Sequence, residues 1–320
     1  MIETLQVSTP LSDYLTPDQI VLVDDLGLDA GWKRGRAGSW VHMAPGRTTV
    51  ALETIQFGPN KGRTVLKAKG NLPRLVHGDG AESFTLHPDD VWRGCQALVK
   101  AATTFVPTAS QNLGKWKVHR VDSNVTCELQ DVDALTWLQG VRSDLAGLDD
   151  SVCSYGSTSH RAQVGKQEQL AVYSKTLDSG IRGPRDGHLV RIEDRLFGRK
   201  AREVYGDSLA TVAQEGAVMA RNRLENWLSR FSLQVIAQGN ENVAALLIRQ
   251  GMEPSQAVKM SGVALVLAAK GVVGLTDMGV PAPTAYRWKA QLEAVLVGDG
   301  ASVMSWDDVV YAAGDAVSDG

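Results

Sequence analysis

The residues of this 320-residue chain best suited to chemistry gather between positions 115 and 206. The stretch LAVYSKTLD, Leu170 to Asp178, carries Tyr173 and, two residues later, Lys175. On a strand, residues two apart project from the same face. KVHRVDSNV, Lys117 to Val125, places Arg120 and Asp122 in that relation, and HLVRIEDRLFG, His188 to Gly198, does so for Arg191, Glu193 and Arg195. If the three strands are neighbours with agreeing faces, one sheet surface carries a phenol, an amine, two carboxylates and several guanidinium groups. Two close carboxylates repel, and a hard divalent ion such as Mg2+ or Mn2+ would keep both ionised. A phenol beside a phosphodiester can attack phosphorus while cations offset the developing charge. Its ordinary pKa is about 10, so Tyr173 needs help from its surroundings. The same residues also fit cross-strand ion pairs, Arg120–Glu193 and Asp122–Arg191, on a solvated face. By strand parity His119 faces away from Asp122 and reads as a packed or hydrogen-bonded side chain.

Positioning these residues requires strands flanked by helices. The first 115 residues or so are β-rich: QIVLVDDL, SWVHMA, RTTVALETIQF and GRTVLKAKGNL alternate or are β-branched, with Gly and Pro between them. HPDDVWRGCQALVKAATTFV predicts a helix, with Val91, Cys95, Leu98, Val99 and Ala102 at three- and four-residue spacing. KWKVHRVDSNVTCEL then reads as a strand and DVDALTWLQGVRSDLAGL as a helix with apolar Leu135, Leu138 and Val141. Strand candidates follow around SVCSYGSTS, EQLAVYSKTL and HLVRIEDRLFG, and from Asp207 onward the pattern is helical. The expected fold is α+β, antiparallel sheets with packed helices plus a helical C-terminal region. The expected units are a β-rich half at 1–114, a catalytic β-α-β-meander at 115–206 and a helical, potentially DNA-binding domain at 207–320.

The net charge of -3 is unevenly distributed. Lys61 to Arg74 contains five basic residues and no acid, whereas no Lys or Arg follows Lys289. Local basic segments in a mildly acidic chain fit a polyanion held in one groove. No apolar run reaches the roughly 18 to 20 residues of a membrane span, and the opening MIETLQVSTP has no export signal, so a cytoplasmic protein without a membrane partner is expected. Cys95, Cys127 and Cys153 are widely spaced, without zinc-ligand spacing, and read as reduced thiols.

Several of these stretches, in this order, resemble the replication initiators of filamentous phages, the gene II/X protein family. They are MIETLQV, LKAKGNLPRLVHGDG, HRVDSNVTCEL, LAVYSK and HLVRIEDRL, followed by a helical region with TAYRWKAQLEAV. The resemblance covers most of residues 1–300. It implies a fold related to the HUH endonucleases, with an HUH/RRM-like nickase core. It also implies an enzyme that nicks and rejoins one strand at an origin to start rolling-circle replication. By position, Tyr173 would be the nucleophile, joined to the 5′ phosphate, with Lys175 assisting. Asp122 and Glu193 would contribute to binding Mg2+ or Mn2+. Arg120, Arg191, Arg195, Lys67, Lys69 and Arg74 are candidate DNA contacts, and Arg287 and Lys289 belong to a helix that can read an origin. Trp32, Trp40 and Trp116 are candidates for stacking on unpaired bases. Expected partners are double- and single-stranded origin DNA in a host bacterial cytoplasm, with a host helicase and polymerase. The chain departs from the HUH pattern in having no His-hydrophobic-His motif, so any histidine ligand would have to be His77, His160 or His188. It has no GxxxxGK[ST] loop with which to power unwinding itself. A non-catalytic DNA-binding control protein is the alternative.

Overall fold

The computed structural model of the chain describes residues 1–11, 32–34, 39–55, 59, 61–106, 109–129, 134–135, 137–138, 141, 145, 153–155, 158–238, 244, 247–248, 251–297 and 309–312. The stretch QIVLVDDL lies outside them. The chain divides into two compact units. One comprises Met1–Asn124, Arg195–Arg221 and Tyr311–Gly320, the other Val125–Asp194 and Asn222–Val310. Both draw on segments far apart in sequence, so neither coincides with 1–114, 115–206 or 207–320. Strand pairing is what gathers distant segments.

The first unit contains β1 (Ile2–Pro10), β2 (Lys33–Arg34), β3 (Trp40–Ala44), β4 (Thr48–Thr54), β5 (Thr64–Asn71) and the start of β6 (Lys117–Leu129). They lie in the order β2-β3-β4-β5-β1-β6, each pair antiparallel. Leu5 and Val7 of β1, Leu66 and Ala68 of β5, and Val50 and Leu52 of β4 are buried on one face. Helix α1 (Leu72–His77) and helix α2 (Val91–Phe105) cover that face. Asn71 starts α1 by accepting the Arg74 N–H at 3.0 Å. A methyl group on Gly70 would meet Leu98 and Leu75 at 2.8 and 3.0 Å, so the glycine lets helix and sheet approach closely. The α2 stripe predicted from spacing, Val91, Cys95, Leu98, Val99 and Ala102, is the buried one. Each fully buried Leu or Val there contributes about 1.5 to 3 kcal/mol.

The second unit holds the end of β6 with β7 (Cys153–Tyr155), β8 (Ser159–Gly165), β9 (Glu168–Ser174) and most of β10 (His188–Phe197), in the order β6-β10-β9-β8-β7. Leu170 and Val172 of β9 are buried on one face with Ala162 of β8. Helix α3 (Lys175–Ser179) follows β9, and helix α4 (Gly198–Tyr205) follows β10 in the first unit. The C-terminal region is helical as expected: α5 (Leu209–Gln238), α6 (Pro254–Asp277) and α7 (Ala282–Val297). Leu247, Met260, Leu267, Leu275, Ala285 and Leu292 form a core there, with Trp288 packed against it. The fold is therefore α+β, an antiparallel sheet with packed helices. Among the described residues, no helix is long and apolar enough to cross a membrane.

Candidate active site

Tyr173 and Lys175 do not share a strand. The strand β9 ends at Ser174, whose hydroxyl accepts the Leu177 N–H at 3.1 Å and starts α3. Lys175 is thus the first residue of a one-turn helix. The turn still brings its Nζ over the Tyr173 ring, 5.4 Å from the centroid, a cation–π contact. The helix stops after five residues because Gly180 takes a left-handed conformation, φ 73°. Thr176 fixes the following loop by donating to the Ile181 carbonyl at 2.6 Å and accepting the Leu189 N–H at 2.8 Å. The Tyr–Lys pair is consequently tied to the first residues of β10.

The β10 strand supplies the partners. The Tyr173 hydroxyl donates to Oε1 of Glu193. Arg191, fully buried, places Nη1 4.0 Å from the same oxygen and donates from Nε to Thr126 Oγ1 at 2.8 Å. Glu193 is buried and Tyr173 half-buried. The arginine and the phenol compensate the carboxylate for its lost water. The expected alternation of Arg191 and Glu193 on one strand face is thus real, and the strand face that Tyr173 occupies agrees with it. The sequence offered no sign of Thr126 as the anchor of Arg191.

Asp122 belongs to the first unit. Arg120 holds both its oxygens, Nε to Oδ1 at 2.7 Å and Nη2 to Oδ2 at 2.6 Å, and stacks 4.9 Å from the Phe197 ring. This pair forms within one strand, a pairing the cross-strand reading of the sequence did not include. His119 departs from its predicted side. Val7 pairs with Val118 and Gln6 with Arg120, so β6 bulges around His119. The bulge turns His119 to the polar side shared by Arg120 and Asp122, where Nε2 lies 2.6 Å from Ser8 Oγ. Burial, reinforced by Lys67, Arg202 and Lys117, pushes its pKa down to about 4, against the pull of Glu53.

Among the described residues, no group of three or more His, Cys, Asp or Glu side chains is placed to hold a metal ion. Both oxygens of Asp122 are held by Arg120, and one oxygen of Glu193 is held by Tyr173. His77 is bonded to Asp90 at 3.0 Å, and His160 is buried within β8. Arg120 and Tyr173 thus engage the carboxylates from which the Mg2+ or Mn2+ expectation started.

The other predicted residues are distributed as follows. Lys69 is exposed, and Lys67 is half-buried and ion-paired with Glu53. Arg74 is ion-paired with Glu82 and, at 3.0 Å, with Asp79. Arg195 is half-buried at the end of β10. On α7, Arg287 is exposed and Lys289 half-buried. Trp116 is fully buried, its indole N–H donating to the Ser110 carbonyl at 2.8 Å, and Trp32 is buried edge-on to His42, so both belong to packing rather than base stacking. The side chain of Trp40 lies outside the described residues. Tyr205 is fully buried.

No family description and no curated relative matches the chain. Solved structures similar to it include the following two. One is a rolling circle replication initiator protein from Geobacillus stearothermophilus, with 13% identity over 72% of this chain and 84% of that chain and a TM-score of 0.34. The other is the di-domain ARO/CYC StfQ from the steffimycin biosynthetic pathway, with 9% identity over 60% and 75% and a TM-score of 0.20. At these TM-scores neither likeness carries an argument about fold or function.

Proposed function

We propose that the protein nicks and rejoins DNA at a replication origin, initiating rolling-circle replication of a filamentous phage or a related plasmid in the bacterial cytoplasm. The observation that carries this reading is the Tyr173–Glu193 hydrogen bond, flanked by Lys175 and Arg191. A carboxylate bonded to a phenol is placed to take its proton. In the proposed step the Tyr173 oxygen forms a bond to phosphorus, and its proton passes to Glu193. The bond from phosphorus to the 3′ oxygen breaks, and that oxygen leaves with the electron pair and takes a proton from solvent water to become a free 3′ hydroxyl. Lys175 and Arg191 offset the added negative charge. Reversal of the same step rejoins the strand. The sequence resemblance to the gene II/X initiators adds the origin, the 5′-phosphotyrosyl link, and a host helicase and polymerase as partners.

The test uses a labelled origin oligonucleotide and a denaturing gel. The wild-type protein is expected to form a covalent adduct and Tyr173→Phe to form none, with binding retained. The reaction is run with and without Mg2+ or Mn2+, which measures any metal requirement directly. An adduct that survives in Tyr173→Phe would refute the assignment. Tight binding with neither nick nor adduct would establish a non-catalytic DNA-binding protein.

A further inference from the structure

Register places beside Tyr173 a residue to which the sequence gave no pointer. Across β8 and β9, Ser159 pairs with Tyr173 and Arg161 with Ala171. Paired residues share a face of the sheet, and so do residues two apart on one strand. The irregularity in this pairing falls after Gln163, so parity holds from Ser159 to Gln163. Ser159 and Arg161 therefore lie on the Tyr173 face, while His160 and Ala162 are buried on the other. Arg161 is half-buried. It stands diagonal to Tyr173, a backbone separation of about 7 to 8 Å that a long side chain spans. The residue opposite Arg161 is Ala171, whose methyl group is too small to stand between guanidinium and phenol.

We infer that Arg161 is a further catalytic residue, a clamp on the two non-bridging oxygens of the phosphodiester that Tyr173 attacks. This rests on the nicking reading above and assigns a task that the other charged groups leave open. Arg191 is fully buried, with Nη1 4.0 Å from Glu193 and Nε on Thr126, so it acts on the phosphate by charge and not by contact. Glu193 is buried and takes the phenol proton. Lys175 lies over the Tyr173 ring, 5.4 Å from its centroid, and offers a single ammonium. Both non-bridging oxygens gain charge as the Tyr173 oxygen bonds to phosphorus, so donors aimed at them act where the barrier is. An arginine presents a planar fork that holds two such oxygens at once, and a lysine does not. In the sheet, β10 with Glu193 flanks β9 on one side and β8 with Arg161 on the other. Base and clamp thus reach the phenol from opposite sides. The bonds formed and broken are those of the step above. Arg161 only donates hydrogen bonds, because a guanidinium keeps its protons in a protein.

The experiment measures single-turnover adduct formation on two saturating origin oligonucleotides. One has the natural phosphodiester at the nick and the other a methylphosphonate, in which a methyl group replaces one charged oxygen. Without that charge the clamp has little to do. Arg161→Ala should therefore form adduct about 10²- to 10³-fold more slowly than wild type on the phosphodiester. On the methylphosphonate the two proteins should react at nearly the same rate, so the ratio of the two rates shifts toward methylphosphonate in the variant. Arg161→Lys should recover only part of the loss, because it restores the charge without the fork. Anisotropy checks that both oligonucleotides saturate each protein, and thermal unfolding checks that the variants are folded. A role confined to holding β8 and β9 together would slow both substrates alike. An unshifted ratio, or an unchanged rate on the phosphodiester, would overturn the clamp and leave the Tyr173 reading standing. No adduct from the wild-type protein on either oligonucleotide would refute the nicking reading and the clamp with it.

Discussion

The bulge at His119 has a thermodynamic consequence that can be measured without knowing the ligand. In the folded protein His119 titrates at about 4, driven first by burial and then by Lys67, Arg202 and Lys117. In the unfolded chain it titrates near the ordinary value of about 6.5. Between those values the unfolded state binds a proton that the folded state refuses. Stability therefore falls as pH drops from about 6.5 to about 4, and the full contribution is present above pH 7. A gap of roughly 2.5 is worth about 3.4 kcal/mol at 1.36 kcal/mol per pKa unit. His119 is only partly buried, and solvent screening reduces this to about 2 kcal/mol. Carboxylates also titrate in this range, so the measurement must isolate one group. Urea unfolding of the wild-type protein and His119→Asn, at half-unit steps from pH 4 to 8, does so. Asn can keep a hydrogen bond to Ser8 and has no proton to gain. The difference between the two stability curves should change by about 2 kcal/mol between pH 7 and pH 4, in the direction that penalises wild type at low pH. Parallel curves over that interval would show that His119 is not held neutral by this environment, and the bulge argument would fail.

Other consequences follow from single contacts. Glu193→Gln keeps the shape of the side chain but not its basicity. It should slow adduct formation by about 10²- to 10⁴-fold in single-turnover assays with saturating oligonucleotide, and an unchanged rate would remove Glu193 as the base. The buried Arg191–Glu193 pair, 4.0 Å apart, corresponds to about 4 kcal/mol at an effective dielectric of about 20. A double-mutant cycle with Arg191→Met and Glu193→Gln should show coupling of that order, whereas additivity within about 0.5 kcal/mol would contradict it. Gly183→Ala would bring a methyl within 2.5 Å of Glu128 Oε1. Glu128 is held in place by the N–H groups of Arg185 and Gly187, at 2.9 and 2.7 Å. Displacing it should cost about 3 kcal/mol in chemical denaturation. Burial pushes the Cys95 thiol up to about 12, so it should resist thiol reagents in the native protein and react on unfolding.

The sequence by itself determined the elements whose burial repeats along the chain. The α2 stripe, the long β6 and β10 strands and the helical region after residue 207 all follow from apolar spacing. It also determined that Glu193 and Arg191 share a strand face, because strand parity is a local rule. Other elements carry no such signal. The β8 strand, SHRAQVG, buries mainly Ala162 and His160 and is otherwise polar, so it reads as loop until its pairing with β9 is known. The short α3 depends on the Ser174 cap and on Gly180, not on any period. Only the tertiary structure decided where the charges go. Arg120 and Arg74 resemble phosphate contacts in the sequence, yet Asp122, Glu82 and Asp79 engage them. One extra residue in β6 reversed the predicted side of His119, since a bulge shifts parity for every residue beyond it. Partner choice among charges is a matter of distance, and distance between remote segments is set by register.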